Sequence, residues 1–528
     1  MEDPLLSVVG ESGSGPGPAV DDGWWSRPIL YSMSPRQLEN LRSLHGATCS
    51  YGSDASGADA PMMALRGLRY DLRDTYGIQI DVDHQFASEA PGAEGNLGRS
   101  FLLLNHKPRA LFTDVCARRH SGFDLLTATE MTTVKVDIYV AEWVCVDICS
   151  YNRSAKPLGM RLADSSGMTS NTLHASLQYI KSYSPKVTIL QHLYRVNTVK
   201  QVLRELRSTP GFAVEAFVAN ASDFNMLTSR VRLFVVALDL RQCALRTPMS
   251  EWTETLNGIA RMMPRFDIAD LEDDVSRRLM EDSDNHVQPF VESKLPSLHQ
   301  ANRETLRMMN NLDVPTGEDM ASSSWGSPGR AATLPPREQD VINFHVWLAR
   351  EVVLRDPAKY NFLWGISNII EYTCSKSLQN VGLCPCFLTS HRIWSTRGQR
   401  LVSGLGKMRI MGFPKHVEVQ GEVQYLGASH QVALSDGAVH LLAGNTIAIP
   451  VIAALLGLVL AEVDFGSCRG PPGPKDNVSE DAFVIGAMHS APVTDNVNPD
   501  FFHLGVDVTT VTAHPMVKVA AKKRRKAV

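Results

Sequence analysis

Apolar and polar positions along this chain fall into two alternating rhythms. Val136–Val140 (VDIYV) carries mostly β-branched and aromatic residues, as a strand inside a parallel sheet does. Val187–Leu193 (VTILQHL), Phe212–Val218 and Arg232–Leu238 (RLFVVAL) read the same way, with shorter strand-like steps at Ile78–Val82 and Arg109–Val115. Between them run helical stripes: Met62, Met63, Leu65 and Leu68; Leu173, Leu177 and Ile180; then Val199, Val202, Leu203 and Leu206 behind a capping Asn197. Strand and helix alternate through residues 45–240, which predicts a doubly wound α/β sheet. Residues 250–312 then read as helical and charged, 316–338 as a linker or insertion, Val341–Leu354 as an amphipathic helix, and 360–435 as mixed and loop-rich. After Asp436 the α/β character returns. The apolar run Thr446–Ala461 is short for a membrane span, contains Pro450 and precedes Glu462 and Asp464, so a buried helix is expected.

Composition narrows the class. A chain of 528 residues with 44% hydrophobic and 20% charged residues buries a substantial core. The net charge of −4 excludes a polycation, so any nucleic-acid surface is a local patch. The nine cysteines follow no spaced framework, which argues for free thiols in a reducing compartment. The first residues are acidic where a signal peptide is basic, and a soluble protein without membrane contact is expected. Gly, Ser and Pro dominate residues 1–26; residues 1–40 are expected to be disordered, with compact structure beginning near Leu41. The final KKRRK (Lys522–Lys526), with Lys518 upstream, reads as a nuclear address or as a solvated charge run.

Chemistry in an α/β sheet gathers at the carboxyl ends of the strands. Cys145 and Cys149 stand where the strand beginning at Val136 gives out; each is a nucleophile or a small buried group. Ala47–Leu68 is a Gly/Ser/Asp loop running into a helix, a shape that lets backbone N–H groups approach a ligand or that simply turns at the surface. Glu89 and Asp114 end successive strand-like steps and suit ribose hydroxyls and an adenine amino group, or cap helices. Arg230 and Arg232 alternate along an emerging strand and so share a face, fit for a phosphate or a base, or for solvent. Arg397, Arg400, Lys407 and Arg409 surround glycines as phosphate-contacting surface or a charged face. Asn445 sits in a tight turn, AGNTIAIP, that opens the apolar helix. Cys374, Cys384, Cys386 and His391 match zinc spacing poorly and read as buried thiols.

Taken in order, these segments resemble the cytosine-C5 DNA methyltransferase family over residues 45–240 and 390–462. ASGADAP (Ala55–Pro61) is similar to its cofactor loop, FASE (Phe86–Glu89) to the segment whose acid meets the ribose, and LFTDV (Leu111–Val115) to the one whose Asp meets adenine. AEWVCVDICS (Ala141–Ser150) stands at the nucleophile loop and PKVTILQHL (Pro185–Leu193) at the strand ending Glu-Asn-Val. LTSRVRLFVV (Leu227–Val236) resembles the Gln-x-Arg-x-Arg strand, while MRIMGFP (Met408–Pro414) and AGNTIAIPVIAAL (Ala443–Leu455) resemble the last two family motifs.

The resemblance implies a Rossmann-like, S-adenosylmethionine-dependent methyltransferase core with an inserted target-recognition lobe. The core would span 41–245, the lobe 246–435 with a flexible insertion near 313–338, a returning segment 436–465, and a Pro/Gly-rich tail 466–528. It implies Cys145, Gln191, Arg230 and Arg232 in catalysis, and Ser56, Gly57, Asp59, Glu89, Asp114 and Asn445 at the cofactor, with no metal. The implied partner is duplex DNA carrying a flipped cytosine, in a nucleus. Four positions depart from the family: Val144 replaces the Pro before the nucleophile, Gln191 the catalytic Glu, Thr228 the Gln of the arginine strand, and Asp59 a Gly of the cofactor loop. Gln191 cannot deliver a proton, and losing general-acid help costs ~10²–10⁴-fold in rate. His192 is a possible substitute. The alternatives are therefore a methyltransferase-like protein that binds cofactor or DNA without transfer, or an RNA cytosine methyltransferase.

Overall fold

A computed structural model describes residues 23–90, 93–143, 168–194, 196–264, 363–366, 384, 392–395, 400–466 and 486–487. Two helices, α1 (Ser26–Tyr31) and α2 (Pro35–Arg42), precede β1 (Thr48–Asp54), α3 (Ala60–Tyr76), β2 (Asp81–Ser88), α4 (Ala93–Asn105) and β3 (Ala110–Phe112). The hairpin β4 (Ser121–Asp124) and β5 (Thr129–Thr132) leads to β6 (Ile138–Glu142), α5 (Met168–Tyr183), β7 (Val187–Leu193), α6 (Val196–Arg207), β8 (Phe212–Asn220) and β9 (Val231–Asp239). These strands, with β17 (Gly486–Ala487), make one sheet in the order β17-β8-β9-β7-β6-β1-β2-β3-β4-β5.

The five central strands, β3-β2-β1-β6-β7, are parallel. From β1 the chain steps outward through β2 and β3, then crosses back to lay β6 on the other side of β1. The reversal makes the carboxyl ends of β1 and β6 the topological switch point, where such sheets hold ligands. This is the Rossmann-like core expected from the alternating pattern. Antiparallel pairing flanks this parallel centre: the hairpin β4–β5 runs antiparallel off β3 on one side, and on the other β9 inserts between β7 and β8, antiparallel to both. The link from β8 to β9 is residues 221–230, opening with a 3-10 turn (Ala221–Phe224) and shorter than the crossover that parallel neighbours need.

The returning segment completes the core. β10 (Ala244–Leu245) pairs with β16 (Val463–Asp464), and α9 (Asp436–Asn445) leads into α10 (Ile449–Glu462), every residue of which is buried. Pro450 lies in the first turn of α10, where its missing N–H costs nothing, so it starts the helix rather than breaking it. Among the described residues no single helix is long and apolar enough to cross a membrane.

Two boundaries differ from the sequence reading. Residues 26–40, within the stretch expected to be disordered, form α1 and most of α2, and Trp25, Ile29, Leu30 and Leu41 are buried in the main core. Trp25 Nε1 donates to the Gly412 carbonyl at 2.9 Å, and its ring occupies the space that a side chain at Gly67 would fill. The region from 246 does not leave the core at once either. Helix α7 (Trp252–Met262) buries Trp252, stacked on Phe217 at 6.2 Å, with Leu256 and Ile259 beside it. Helix α8 (Gly404–Ile410) is likewise buried. Val341–Leu354 and the insertion near 313–338 lie outside the described residues.

Candidate active site

The loop leaving β1 is wound tightly, with Ala55, Gly57 and Asp59 all at positive φ (49°, 53° and 45°). Glycine adopts that conformation most cheaply, and Asp is among the few other residues that tolerate it. Asp59, where the family resemblance expects Gly, makes use of the position. Its carboxylate caps α3 by accepting from Met62 N–H at 3.3 Å. It also accepts from the Tyr51 hydroxyl at 2.6 Å and the Ser53 hydroxyl at 3.0 Å, with His84 Nε2 at 3.5 Å. Fully enclosed, it holds the loop from beneath rather than facing a ligand, which corrects its expected cofactor contact. Burial pushes its carboxyl up to about 6, against the pull of the Tyr51 and Ser53 hydrogen bonds.

Glu89 follows the end of β2. Its Oε1 accepts from Gly57 N–H at 2.9 Å, which joins the expected ribose acid to the expected cofactor loop. Gly98 of α4 makes room for the other oxygen; a Cβ there would lie 2.9 Å from Oε2. Arg99 ties this strand end to the next, donating to the Glu89 carbonyl at 2.8 Å and the Thr113 carbonyl at 3.1 Å. Burial pushes the Glu89 carboxyl up to about 7; the Gly57 bond and Arg99 oppose it, while Asp59 and Asp54 add to it. Ser56 is buried, its hydroxyl 2.7 Å from that of Ser53. Asp114 follows β3, is partly exposed, and accepts from Cys116 N–H at 3.0 Å.

A brace that sequence reasoning missed lies on the opposite face of the sheet. Asp54, the last residue of β1, accepts from the Ser88 hydroxyl and the Tyr139 hydroxyl, each at 2.5 Å, and pairs with Arg118. The Arg118 guanidinium lies over the rings of Phe86 and Tyr179, 4.2 and 4.5 Å from their centroids. One carboxylate thus fixes the ends of β1, β2 and β6 together. In sequence Asp54 was one more small polar residue of a loop, and nothing marked it as the partner of an arginine 64 positions away.

At the switch point β6 ends in Glu142, level with Gln191 of β7. Gln191 is buried, on the face where Ile138 and Val140 pack with Val187 and Ile189. His192 faces the other way, stacked on Trp143 at 4.4 Å with the rings 10° from parallel. It is therefore placed away from Gln191 and does not substitute for an acid there. Cys145 and Val144 lie outside the described residues, as do Cys149, Cys374, Cys386, His391 and Arg397. Cys384 is buried and bridges to Thr228.

The arginines divide. Arg230 is buried and donates to the Gly444 carbonyl at 3.1 Å and the Thr446 carbonyl at 2.9 Å, fastening the α9–α10 turn to the sheet. Arg232 is partly exposed, and its guanidinium donates to the Val231 carbonyl at 2.8 Å. Asn445, exposed, stands between the two carbonyls that Arg230 holds. Lys407 and Arg409 are buried in α8, which corrects their reading as phosphate-contacting surface.

Ser56, Gly57, Glu89 and Asp114 thus lie along the ends of three adjacent strands. A side chain at Gly57 would meet nothing within 4 Å, so the loop borders open space there. Carboxyls at the next two strand ends suit a ribose diol and an adenine amino group. The residues present fit a nucleoside cofactor such as S-adenosylmethionine.

No protein-family model matches the chain. Over 236 residues it is 22% identical to the DNA (cytosine-5-)-methyltransferase DMT5 of Cryptococcus neoformans var. grubii; the match covers 44% of this chain and 9% of that protein's length. Among solved structures it is similar to the Dnmt2 methyltransferase of S. pombe, with a TM-score of 0.37 and 12% identity over 78% of this chain and 98% of that one. The Entamoeba histolytica methyltransferase EhMeth gives a TM-score of 0.36 and 9% identity, covering 78% of this chain and 98% of that one. The sequence likeness to a cytosine-C5 methyltransferase thus extends over 44% of this chain and a small part of that much longer protein.

Proposed function

We propose that this protein transfers the methyl group of S-adenosylmethionine to C5 of cytosine in duplex DNA, with Cys145 as the nucleophile. The observation that carries the reading is the gathering of Gly57, Glu89, Asp114 and Gln191 at the carboxyl ends of adjacent parallel strands, in the order of the motifs. S-Adenosylmethionine would supply an electrophilic methyl group when bound; Glu89 and Asp114 would hold its ribose and adenine, beside the loop at Ser56–Gly57. The Cys145 thiolate attacks C6 of a base flipped out of the duplex, which makes C5 nucleophilic. Arg232 orients the base from the same side of the sheet, and Arg230 keeps the turn at Asn445 in place beside it. The basic run at Lys522–Lys526 supports a nuclear protein.

Incubation of the full chain with duplex DNA carrying 5-fluorocytosine tests this, because fluorine at C5 cannot leave as a proton does and the adduct persists. A covalent complex that needs S-adenosylmethionine and disappears in Cys145→Ser is the expected result. Cofactor binding without adduct on DNA or tRNA would favour a methyltransferase-like binding protein, the reading that the amide of Gln191 supports. An adduct on tRNA alone would move the substrate to RNA.

A further inference from the structure

Position 191 is where the family resemblance expects an acid, and this chain carries an amide there. The neighbouring strand carries a carboxyl at the same level. Glu142 and Gln191 are register partners in the parallel pair β6/β7. Residues paired in this way send their side chains to the same face, on strands ~4.8 Å apart. The two cores identify that face. Ile138 and Val140 pack in one cluster with Val187 and Ile189, whereas Tyr139, Ala141, Trp143 and Leu190 pack in the other. Glu142 therefore leaves the sheet beside Gln191, opposite the Trp143–His192 stack.

We propose that Glu142 is the acid of the methyl-transfer reaction, supplying from β6 the carboxyl that β7 lacks. The assignment rests on the function proposed above. Its surroundings suit the role: burial holds the Glu142 carboxyl well above the usual range. Arg230 and Arg232 pull it down and lose to burial, which Glu89 and Asp59 reinforce. A carboxyl held above its usual range keeps its proton to higher pH, and unlike the Gln191 amide it is an acid. As the thiolate bonds to C6, the C5–C6 π pair shifts through C4 onto N3, and N3 takes the proton from Glu142. C5 next receives the methyl group from the sulfonium, released as a neutral thioether. Water then removes the C5 proton, the C5–H pair re-forms the double bond, the thiolate leaves C6, and N3 returns its proton to the Glu142 carboxylate.

The test compares wild type, Glu142→Gln and the exchanged variant Glu142→Gln/Gln191→Glu as full chains, reading transfer of a tritiated methyl group to cytosine in duplex DNA and cofactor binding by equilibrium dialysis. Glu142→Gln is expected to bind cofactor normally and to lose about 10²–10⁴-fold in transfer, the scale of a general acid. The exchanged variant is expected to regain at least about tenfold of that loss, which a merely structural Glu142 would not allow. Retention of transfer within about threefold in Glu142→Gln, or no gain on exchange, overturns the assignment. Should Glu142→Gln lose cofactor binding as well, Glu142→Gly with added formate replaces it: rescue upholds a chemical role and its failure refutes one. A wild type that neither transfers methyl nor forms the fluorocytosine adduct defeats the function itself, whereas an active wild type beside an active Glu142→Gln defeats only this residue's part.

Discussion

Replacing Glu89 with Gln isolates the cost of a buried carboxylate at the cofactor loop. Glutamine has the shape of the protonated acid and keeps an oxygen for Gly57 N–H, which lies 2.9 Å from Oε1. In the folded chain the carboxyl titrates at about 7, against ~4.3 when unfolded. A raised carboxyl makes the folded state bind the extra proton between those values, so stability falls as pH rises. The contribution is fully present below the unfolded value and is lost as pH climbs through the folded one. At pH 5 the group is protonated when folded and mostly ionised when unfolded; at pH 8 it is ionised in both. Integrating between these limits gives a loss of ~2.5 kcal/mol in the wild type that the variant does not suffer. Urea unfolding followed by tryptophan fluorescence, at pH 5 and pH 8, measures it. Glu89→Gln should gain ~2.5 kcal/mol on wild type between the two conditions. A stability difference that is the same at both pH values would refute the account of Glu89 as an acid whose ionisation burial opposes.

Two further perturbations probe the frame. Trp25→Ala removes an indole that donates to the Gly412 carbonyl and lies against Gly67, and should cost about 3–5 kcal/mol in denaturant unfolding; a cost under about 1 kcal/mol would mean that the N-terminal helices are not part of the core. Asp54→Asn strands the buried Arg118 charge and should cost about 3–5 kcal/mol by the same assay. The paired change Asp54→Leu with Arg118→Met should cost less than Asp54→Asn alone, since it leaves no uncompensated charge.

The central parallel strands and the buried helix α10 were legible because their signals are local: runs of β-branched residues, and an apolar stretch without charge. The N-terminal helices had a local signal too. Ser34 and Gln37 form a capping box, with the Ser34 hydroxyl accepting from Gln37 N–H at 3.2 Å and the Gln37 amide oxygen accepting from Ser34 N–H at 2.8 Å. Nearby Gly, Ser and Pro masked it. Glu89 and Gly57 were identified by motif, and the bond between them follows from strand order, which no local pattern encodes. The hold of Arg230 on the Gly444 and Thr446 carbonyls was not legible, because these partners lie more than two hundred residues away in sequence. Asp59 shows the other limit: a polar residue in a glycine position reads as a ligand group, although its conformation and cap already occupy it. Glu142 gained meaning only from register, since a strand alone does not say which residue stands beside it.

The path of the chain through its core sets a constraint on biosynthesis. Trp25 closes on Gly412, and Gln37 donates to Glu462 at 2.9 Å across 425 residues. Helix α10 packs against α1, α2 and α3, so the apolar surfaces made first on the ribosome are covered by a helix made roughly four hundred residues later. At ~5–20 residues per second that interval lasts about 20–80 seconds. Throughout it Ile29 and Leu68, both against Gly457 in the finished protein, have no α10 to cover them. A ribosome that stalls before residue 449 leaves α1, α2 and α3 without the helix that covers their apolar faces.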